Sequence, residues 1–117
     1  MTSQNRVILT GKVLRPPQLR YRPDGSPVIQ FPLELNDSGD RPGKALHHQG
    51  TGSLINVVAF GKLAELKLDL LQRGRHLMVV GRLNQRRWKT PEGKNRTRTE
   101  VIATEFRTVE DKSPIMD

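Results

Sequence analysis

Hydrophobic and polar positions alternate in short runs along most of the chain, and these runs predict strands. β-branched and aliphatic residues dominate each run, and turn-forming residues separate one run from the next. Helical periodicity occurs in residues 61–74, where Leu63, Leu66 and Leu70 fall on one face with Leu71 beside them. The predicted strands are residues 6–14, 28–35, 54–60, 76–88 and 94–106.

Glycine and proline mark where these strands bend or end. Gly11 and Gly81 lie inside predicted strands, where a glycine indicates a bulge or a sharp bend. The Pro-Asp-Gly sequence at residues 23–25 predicts a turn, which makes residues 28–35 the second half of a hairpin. Pro32 cannot donate a ladder hydrogen bond, so it predicts a sheet edge or a bulge.

The element order is three strands, one helix and two strands. This order predicts an all-β protein, a five-stranded OB-fold barrel with one α-helix between strands 3 and 4 and a long hairpin of strands 4 and 5. Residues 1–107 form this single domain, and residues 108–117 form a short polar tail. Residues 36–53 are rich in Gly, Asp and Ser without periodicity, and we expect a long loop there.

Composition narrows the class of protein and of partner. The chain has 117 residues, a net charge of +8 and no cysteine, which excludes disulfides and thiolate metal sites. The positive charge favours a polyanionic partner, with nucleic acid first and an anionic membrane second. The opening residues lack the apolar run of a signal peptide, and no run approaches the length of a membrane span. We therefore expect a soluble cytoplasmic protein that does not act at a membrane.

The charge is concentrated in one segment that also holds the single tryptophan, Trp88. Residues 82–98 contain seven basic residues and one acidic residue, Glu92. A solvated surface would explain the charge, but a Trp among cations is typical of single-stranded nucleic acid binding, where rings stack on bases and cations meet phosphates. A subunit contact or a cover for the barrel rim is the alternative for Trp88. The basic residues are Arg82, Arg86, Arg87, Lys89, Lys94, Arg96 and Arg98.

The other aromatic residues divide between the core and the candidate surface. Phe31 and Phe106 lie in apolar strands and are expected in the core. Phe60 ends an apolar strand, and its sequence context leaves core packing and base stacking both open. Tyr21 lies between two arginines before a turn, which resembles the surroundings of Trp88 and makes it a candidate binding residue.

Catalytic and metal-binding patterns are absent from the sequence. It has no P-loop, no G-x-S-x-G and no H-E-x-x-H. His47 and His48 are adjacent in the predicted loop without evident partner ligands, and Asp37 and Asp40 lie in the same loop. We therefore expect no enzymatic activity, no catalytic residue, no cofactor and no metal.

Four segments together resemble the bacterial single-stranded DNA-binding protein (SSB) family. The resemblance runs from Asn5 to Phe106. It implies an OB-fold that usually assembles as a homotetramer and binds single-stranded DNA with little sequence preference in replication, recombination and repair. The segments are NRVILTGKV, LRYRPDGSPVIQFPLEL, INVVAFGKLAELKLDLLQRG and VVGRLNQRRWKTPEGKNRTRTEVIA.

The resemblance also implies roles for particular residues. The family's stacking aromatics fall on Phe60 and Trp88, and its backbone contacts map onto Lys62, Arg73 and Arg87. Together with the basic segment and Tyr21, these residues complete the predicted single-stranded DNA contacts. The full set is Trp88, Phe60, Tyr21, Lys62, Arg73, Arg82, Arg86, Arg87, Lys89, Lys94, Arg96 and Arg98.

The chain also departs from the family pattern. Two further family aromatics are missing, at Leu54 and near Gly39, which predicts weaker stacking or a different DNA path. The family's acidic tip ending in Pro-Phe, which recruits partner enzymes, has only a faint counterpart. That counterpart consists of Glu110, Asp111, Pro114 and Ile115.

These departures leave alternatives open. The related primosomal replication protein N (PriB-type) is a short dimeric OB-fold that binds single strands and helps load a helicase at restart, with replication-restart or repair proteins as partners. An OB-fold adaptor that docks proteins is a further alternative. A duplex reader is poorly supported, because its recognition helix would need more cations than the Lys62 and Lys67 of this helix.

Overall fold

A computed structural model describes residues 3–35 and 53–109 of the protein. The helix α1 spans Gly61–Lys67 and continues as one 3₁₀ turn over Leu68–Leu70. The loop at residues 36–52, with the positions of Asp37, Asp40, His47 and His48 and that near Gly39, lies outside the described residues, as does the tail from residue 110. The strands are β1 Val7–Val13, β2 Gln18–Tyr21, β3 Pro27–Leu35, β4 Leu54–Phe60, β5 His76–Lys89 and β6 Asn95–Thr108.

Five of these strands close into a barrel. The sheet order is β1-β5-β6-β4-β3, and β3 pairs again with β1 to close the ring. In chain order, β4 and β5 are the third and fourth strands of the ring, and the helix lies between them. β5 and β6 form the long hairpin. The predicted OB-fold is therefore confirmed. β2 is an additional short strand that the sequence analysis did not predict, and it pairs with β3 across the turn that follows it.

Gly11 and Gly81 lie where two backbones approach too closely for a side chain. At Gly11, β1 begins to pair with β3 while it still pairs with β5, and an added Cβ would collide with the carbonyl oxygen of Glu34. At Gly81 an added Cβ would collide with the carbonyl oxygen of Ile102. Both glycines allow the strong bending that a small barrel requires, as the sequence predicts.

Pro32 lies inside the barrel wall, at a local gap in the pairing of β3. One edge of β3 pairs with β4 from Val28 to Glu34, whereas the other pairs with β2 up to Gln30 and with β1 from Leu33. The carbonyl oxygen of Pro32 accepts a hydrogen bond from Leu14 N at 3.1 Å, so its ring nitrogen faces the same gap. The missing N–H therefore costs no ladder bond, and the proline needs neither a fully exposed edge strand nor a bulge.

The core is formed by the alternate positions of the strands that point into the barrel. Phe31 and Phe106 are both buried there with ring centroids 5.8 Å apart, as predicted. A bulge in β6 changes the alternation, because Val80 pairs with Glu105 but Gly81 pairs with Ala103. Ala103 and Phe106 can therefore both face the core.

The helix is shorter than predicted, and its leucine face is different. Leu66 is 72% exposed, so its predicted place on the buried face is wrong. The physical reason is that the buried residue of the α-helix is Ala64, and Leu66, two residues later, lies about 200° around the helix from it. Leu71 becomes the fully buried residue, and Leu63 and Leu68 pack partly against the core.

Candidate nucleic-acid interface

The hairpin of β5 and β6 extends beyond the barrel as an arm, defined here as residues 82–100. Residues 85–89 and 95–99 are exposed at every position, so both surfaces of the arm face solvent near its tip. Strand residues alternate between the two surfaces. The outer face is the surface of the sheet that continues the outside of the barrel, and the reverse face is the opposite surface of the arm.

Trp88 lies on the outer face of the arm, surrounded by arginines. Arg96 is directly opposite it on β6. Arg86 and Arg98 form the next pair on this face, one step closer to the barrel. The Cζ atom of Arg86 is 5.7 Å from the Trp88 ring centroid, within cation–π range. Trp88 is 43% exposed, so a large part of the indole is open to a ligand.

Phe60 lies on the same outer face, at the far end of β4. It pairs with Val28, and the inward-facing position next to it is Ala59. Val58 pairs with Ile102 of the parallel strand β6, so Phe60 is level with the β6 position two residues after Ile102. Trp88 pairs with Arg96, and the two aromatic residues are therefore eight residues of β6 apart. At ~3.3 Å per residue this corresponds to about 26 Å along the strands. The two rings therefore lie at opposite ends of one surface.

Arg22 contacts the Phe60 ring, a contact that sequence reasoning did not identify. The Cζ atom of Arg22 is 4.7 Å from the ring centroid, closer than Arg86 is to Trp88. The sequence offered one signal, because Arg22 belongs to the arginine-aromatic-arginine run around Tyr21. Phe60 itself is partly exposed, so it does not belong to the fully buried core.

A groove of about 360 Å³ lies between the two rings on the outer face. Leu54, at the position where the resemblance expects an aromatic, lines this groove and is 52% exposed. Arg20, beside the groove, donates a hydrogen bond to Gln30 Oε1 at 2.7 Å. The polar side chains lining the groove are Arg15, Gln18, Gln30, Asn56 and Arg98, of which the sequence analysis identified Arg98 alone.

A buried carboxylate lies at the base of the arm. Glu100 is 5% exposed, accepts a hydrogen bond from Asn84 Nδ2 at 3.2 Å, and has Arg86 Nε 3.7 Å from its Oε1 atom. Asn56 is its neighbour in the β4–β6 ladder. Among the described residues, Glu100 Oε1 and Asn56 Nδ2 have no hydrogen-bond partner, although both atoms are buried.

Comparison with known proteins decides the family. A model described as "Single-strand binding protein family" matches residues 4–109. The chain belongs to this family. It is 37% identical over 114 residues to the single-stranded DNA-binding protein of Thermotoga maritima, covering 96% of this chain and 78% of that protein. It is 35% identical over 114 residues to the protein of the same name from Caldanaerobacter subterraneus subsp. tengcongensis, covering 93% and 70%.

The predicted basic residues do not all lie on one surface. Arg82, Arg86, Arg96 and Arg98 share the outer face with Trp88. The alternation of β5 places two predicted cations on the reverse face, and a third lies in the turn at the tip of the arm. These are Arg87, Lys89 and Lys94.

The remaining predicted residues of this family member lie away from the arm. Tyr21 is 66% exposed but pairs with Pro27, whose position in the alternation faces the barrel interior, so Tyr21 lies on the opposite side of β2 from Phe60. Lys62 follows Phe60 in the first turn of α1. Arg73 precedes Gly74, whose amide donates to the Val13 carbonyl oxygen at 2.8 Å, so it lies beside the end of β1.

In residues 3–35 and 53–109, no group of three or more His, Asp or Glu side chains could hold a metal ion. No helix within these ranges is long and apolar enough to cross a membrane.

Proposed function

We propose that the protein binds single-stranded DNA along the outer face, without strong sequence preference. The observation that carries this proposal is the setting of Trp88, which is 43% exposed, opposite Arg96 and 5.7 Å from Arg86. Both relatives described above bear the name single-stranded DNA-binding protein. The names thus favour this function over the primosomal and adaptor alternatives.

Binding rests on two physical contributions at each ring. A base that stacks on Trp88 or Phe60 contributes about 1–3 kcal/mol, and every base offers a π-face, so the contribution depends little on sequence. The neighbouring arginines attract the phosphates attached to those bases. A duplex keeps its bases stacked on each other, so it gains the phosphate contribution but not the stacking contribution. The protein therefore discriminates single strands from duplex.

The geometry supports a DNA path along β6 and β4. The DNA strand begins at Trp88 and Arg96, passes Arg98 and the groove beside Leu54, and reaches Phe60 about 26 Å away. Polar side chains in the groove replace the ring that the resemblance expects at residue 54. Between the two rings, contacts with sugar, phosphate and base edges therefore replace stacking.

Three predicted cations lie off this path and indicate that it extends around the arm. Arg87, Lys89 and Lys94 line the reverse face and the tip, so a strand that wraps around the arm meets charge on both sides. Lys62 stands beside the Phe60 end. Tyr21 and Arg73 contact DNA under this proposal only when a longer strand continues around the barrel, and they are secondary sites.

We also propose that the protein forms a homo-oligomer, with a homotetramer or a dimer as its form. From Val7 to Thr10, β1 pairs with β5, and its other edge has no strand partner in the described residues. Ile8 is 55% exposed on this strand. An unpaired edge with an exposed apolar residue is a surface on which a second copy can pair.

A cytoplasmic location and recruitment of repair or restart proteins remain predictions.

A fluorescence titration tests the proposal directly, because Trp88 is the sole tryptophan. Oligo-dT is added at several salt concentrations, with a duplex of equal length as the control. We expect quenching by the single strand and a log–log salt slope of roughly −0.7 per phosphate contacted. Binding without quenching would assign Trp88 to a subunit contact, and equal affinity for the duplex would contradict the proposal.

A further inference from the structure

Arg22 is separated in sequence from the basic arm, yet it is the cation closest to an aromatic ring on the outer face. Its Cζ atom is 4.7 Å from the centroid of Phe60. An exposed cation–π contact contributes only about 0.5–1 kcal/mol, which alone does not hold a long side chain in place. The position of Arg22 therefore depends on its surroundings.

The turn that follows Arg22 holds its guanidinium. Ser26 N and Ser26 Oγ both donate to Asp24 Oδ1, at 2.9 and 2.6 Å. This orients the Ser26 hydroxyl oxygen to accept a hydrogen bond from Arg22 Nε at 3.1 Å. The backbone closes the same turn, because Arg22 N donates to the Ser26 carbonyl oxygen at 2.9 Å. The serine and the aspartate thus connect the backbone of the turn to the side chain of Arg22.

The charge of Asp24 keeps this arrangement in place at neutral pH. The Ser26 side-chain and backbone hydrogen bonds, helped by the charge of Arg22, hold the pKa of Asp24 below its ordinary value of 3.8. A carboxyl group with a lowered pKa loses its stabilising contribution only when the pH falls through that pKa. Asp24 is therefore ionised at neutral pH and accepts both hydrogen bonds from Ser26.

The rest of the guanidinium has no hydrogen-bond partner among the described residues. Its Nε–H is used by Ser26, and within residues 3–35 and 53–109 its two terminal nitrogens donate to no acceptor. A planar fork with free donors matches the oxygens of a phosphate. Phosphate bound by charge-assisted hydrogen bonds is a stronger partner than the face of a phenyl ring.

We propose that Arg22 is a further single-stranded DNA-binding residue, positioned by Ser26 and Asp24, which takes the phosphate of the nucleotide whose base stacks on Phe60. In the free protein the guanidinium covers the ring. When a base arrives, the guanidinium pivots about its Nε–Ser26 hydrogen bond, leaves the ring to the base and meets the phosphate. This inference rests on the proposed role of Phe60 in stacking.

The test compares the affinity for oligo-dT and its salt slope among single and double variants. Arg22→Ala should weaken binding roughly tenfold at low salt, as expected for a lost charged hydrogen bond, and reduce the magnitude of the salt slope by about 0.7. Arg22→Lys, which keeps the charge, should restore most of the slope. Lys12→Ala is the charge-matched control, because Lys12 is exposed on β1, outside the strands β4 and β6 that carry the proposed path.

The positioning role has its own readout. Ser26→Ala should weaken binding when Arg22 is present and have no further effect in the Arg22→Ala background. An equal effect of Ser26→Ala in both backgrounds would overturn the positioning role, and an Arg22→Ala slope equal to that of Lys12→Ala would overturn the phosphate contact. Phe60→Ala separates the two proposals. If it binds like the wild type, stacking at Phe60 fails; if it weakens binding while Arg22→Ala behaves like the control, only the role of Arg22 fails.

Discussion

Arg86 and Arg98 lie directly opposite each other on the outer face of the arm. Like charges in this arrangement destabilise an antiparallel pair, and Glu100 offsets only part of the repulsion, through its 3.7 Å contact with Arg86. Under the proposed binding mode, a DNA phosphate beside this pair removes the repulsion. On that proposal, the arm loses some stability in the free protein and regains it when a polyanion binds.

Arg98→Thr should consequently stabilise the free protein while weakening its binding to DNA. We expect the free energy of unfolding to rise by about 0.2–1 kcal/mol at low salt, because the repulsion with Arg86 is removed. Urea denaturation measures this change. The matched control is Arg87→Thr on the reverse face, which removes the same charge opposite Thr97 and should give no comparable gain. Equal gains in both variants would show that total charge, and not this pair, sets the stability.

Trp88→Ala should weaken single-strand binding by roughly the stacking energy of one base, about 1–3 kcal/mol. The loss should be similar for oligo-dT, oligo-dA and oligo-dC, because stacking does not depend on base edges. Fluorescence anisotropy of labelled oligonucleotides measures it without the tryptophan signal. Trp88→Phe keeps a ring and should retain most of the affinity. An unchanged affinity in Trp88→Ala would show that no base stacks there.

Glu100→Gln should strengthen DNA binding at low salt. The substitution removes the charge beside Arg86 but retains a side-chain oxygen that can accept from Asn84. The Arg86 side chain is 54% exposed, and exposed ion pairs contribute about 0.2–1 kcal/mol, so the gain should not exceed about fivefold. The gain should disappear in an Arg86→Ala background. A gain that persists there would mean that Glu100 acts through the general field and not through Arg86.

Gly11→Ala should destabilise the barrel by about 1–3 kcal/mol, the usual cost of overpacking. Its new methyl group would collide with the backbone of Glu34 at the point where β1 and β3 close the ring. Lys12→Ala, on the exposed neighbour, is the control and should change the free energy of unfolding little. Thermal or urea unfolding measures both variants, and equal midpoints would contradict the close approach.

Local patterns in the sequence predicted the barrel strands, because their alternation reflects which side of each strand is buried. They also predicted the bends at Gly11 and Gly81 and the core positions of Phe31 and Phe106. They failed at Leu66, because the buried side of the α-helix is marked by the small residue Ala64 and not by the leucines. A pattern of large apolar residues identifies the buried face of a helix only where large residues fill that face.

The candidate site was less predictable, because it depends on pairing between distant segments. The sequence identified Trp88 and its arginines, yet the division of the cations between two faces follows from the β5–β6 register. The groove joins β2, β3, β4 and β6, and the Arg22–Phe60 contact joins residues 38 positions apart. No short segment of consecutive residues specifies contacts between such distant positions.

The bulge in β6 has a consequence for how the arm can vary in length. From Gly81 opposite Ala103 outward, every side chain of the arm keeps strict alternation. Inserting or deleting one residue in a strand would turn Trp88 or Arg96 to the reverse face. The length of this arm can therefore change only by two residues in each strand at a time, which is about 7 Å. Related arms that keep both side chains on the outer face would differ in length by multiples of this step.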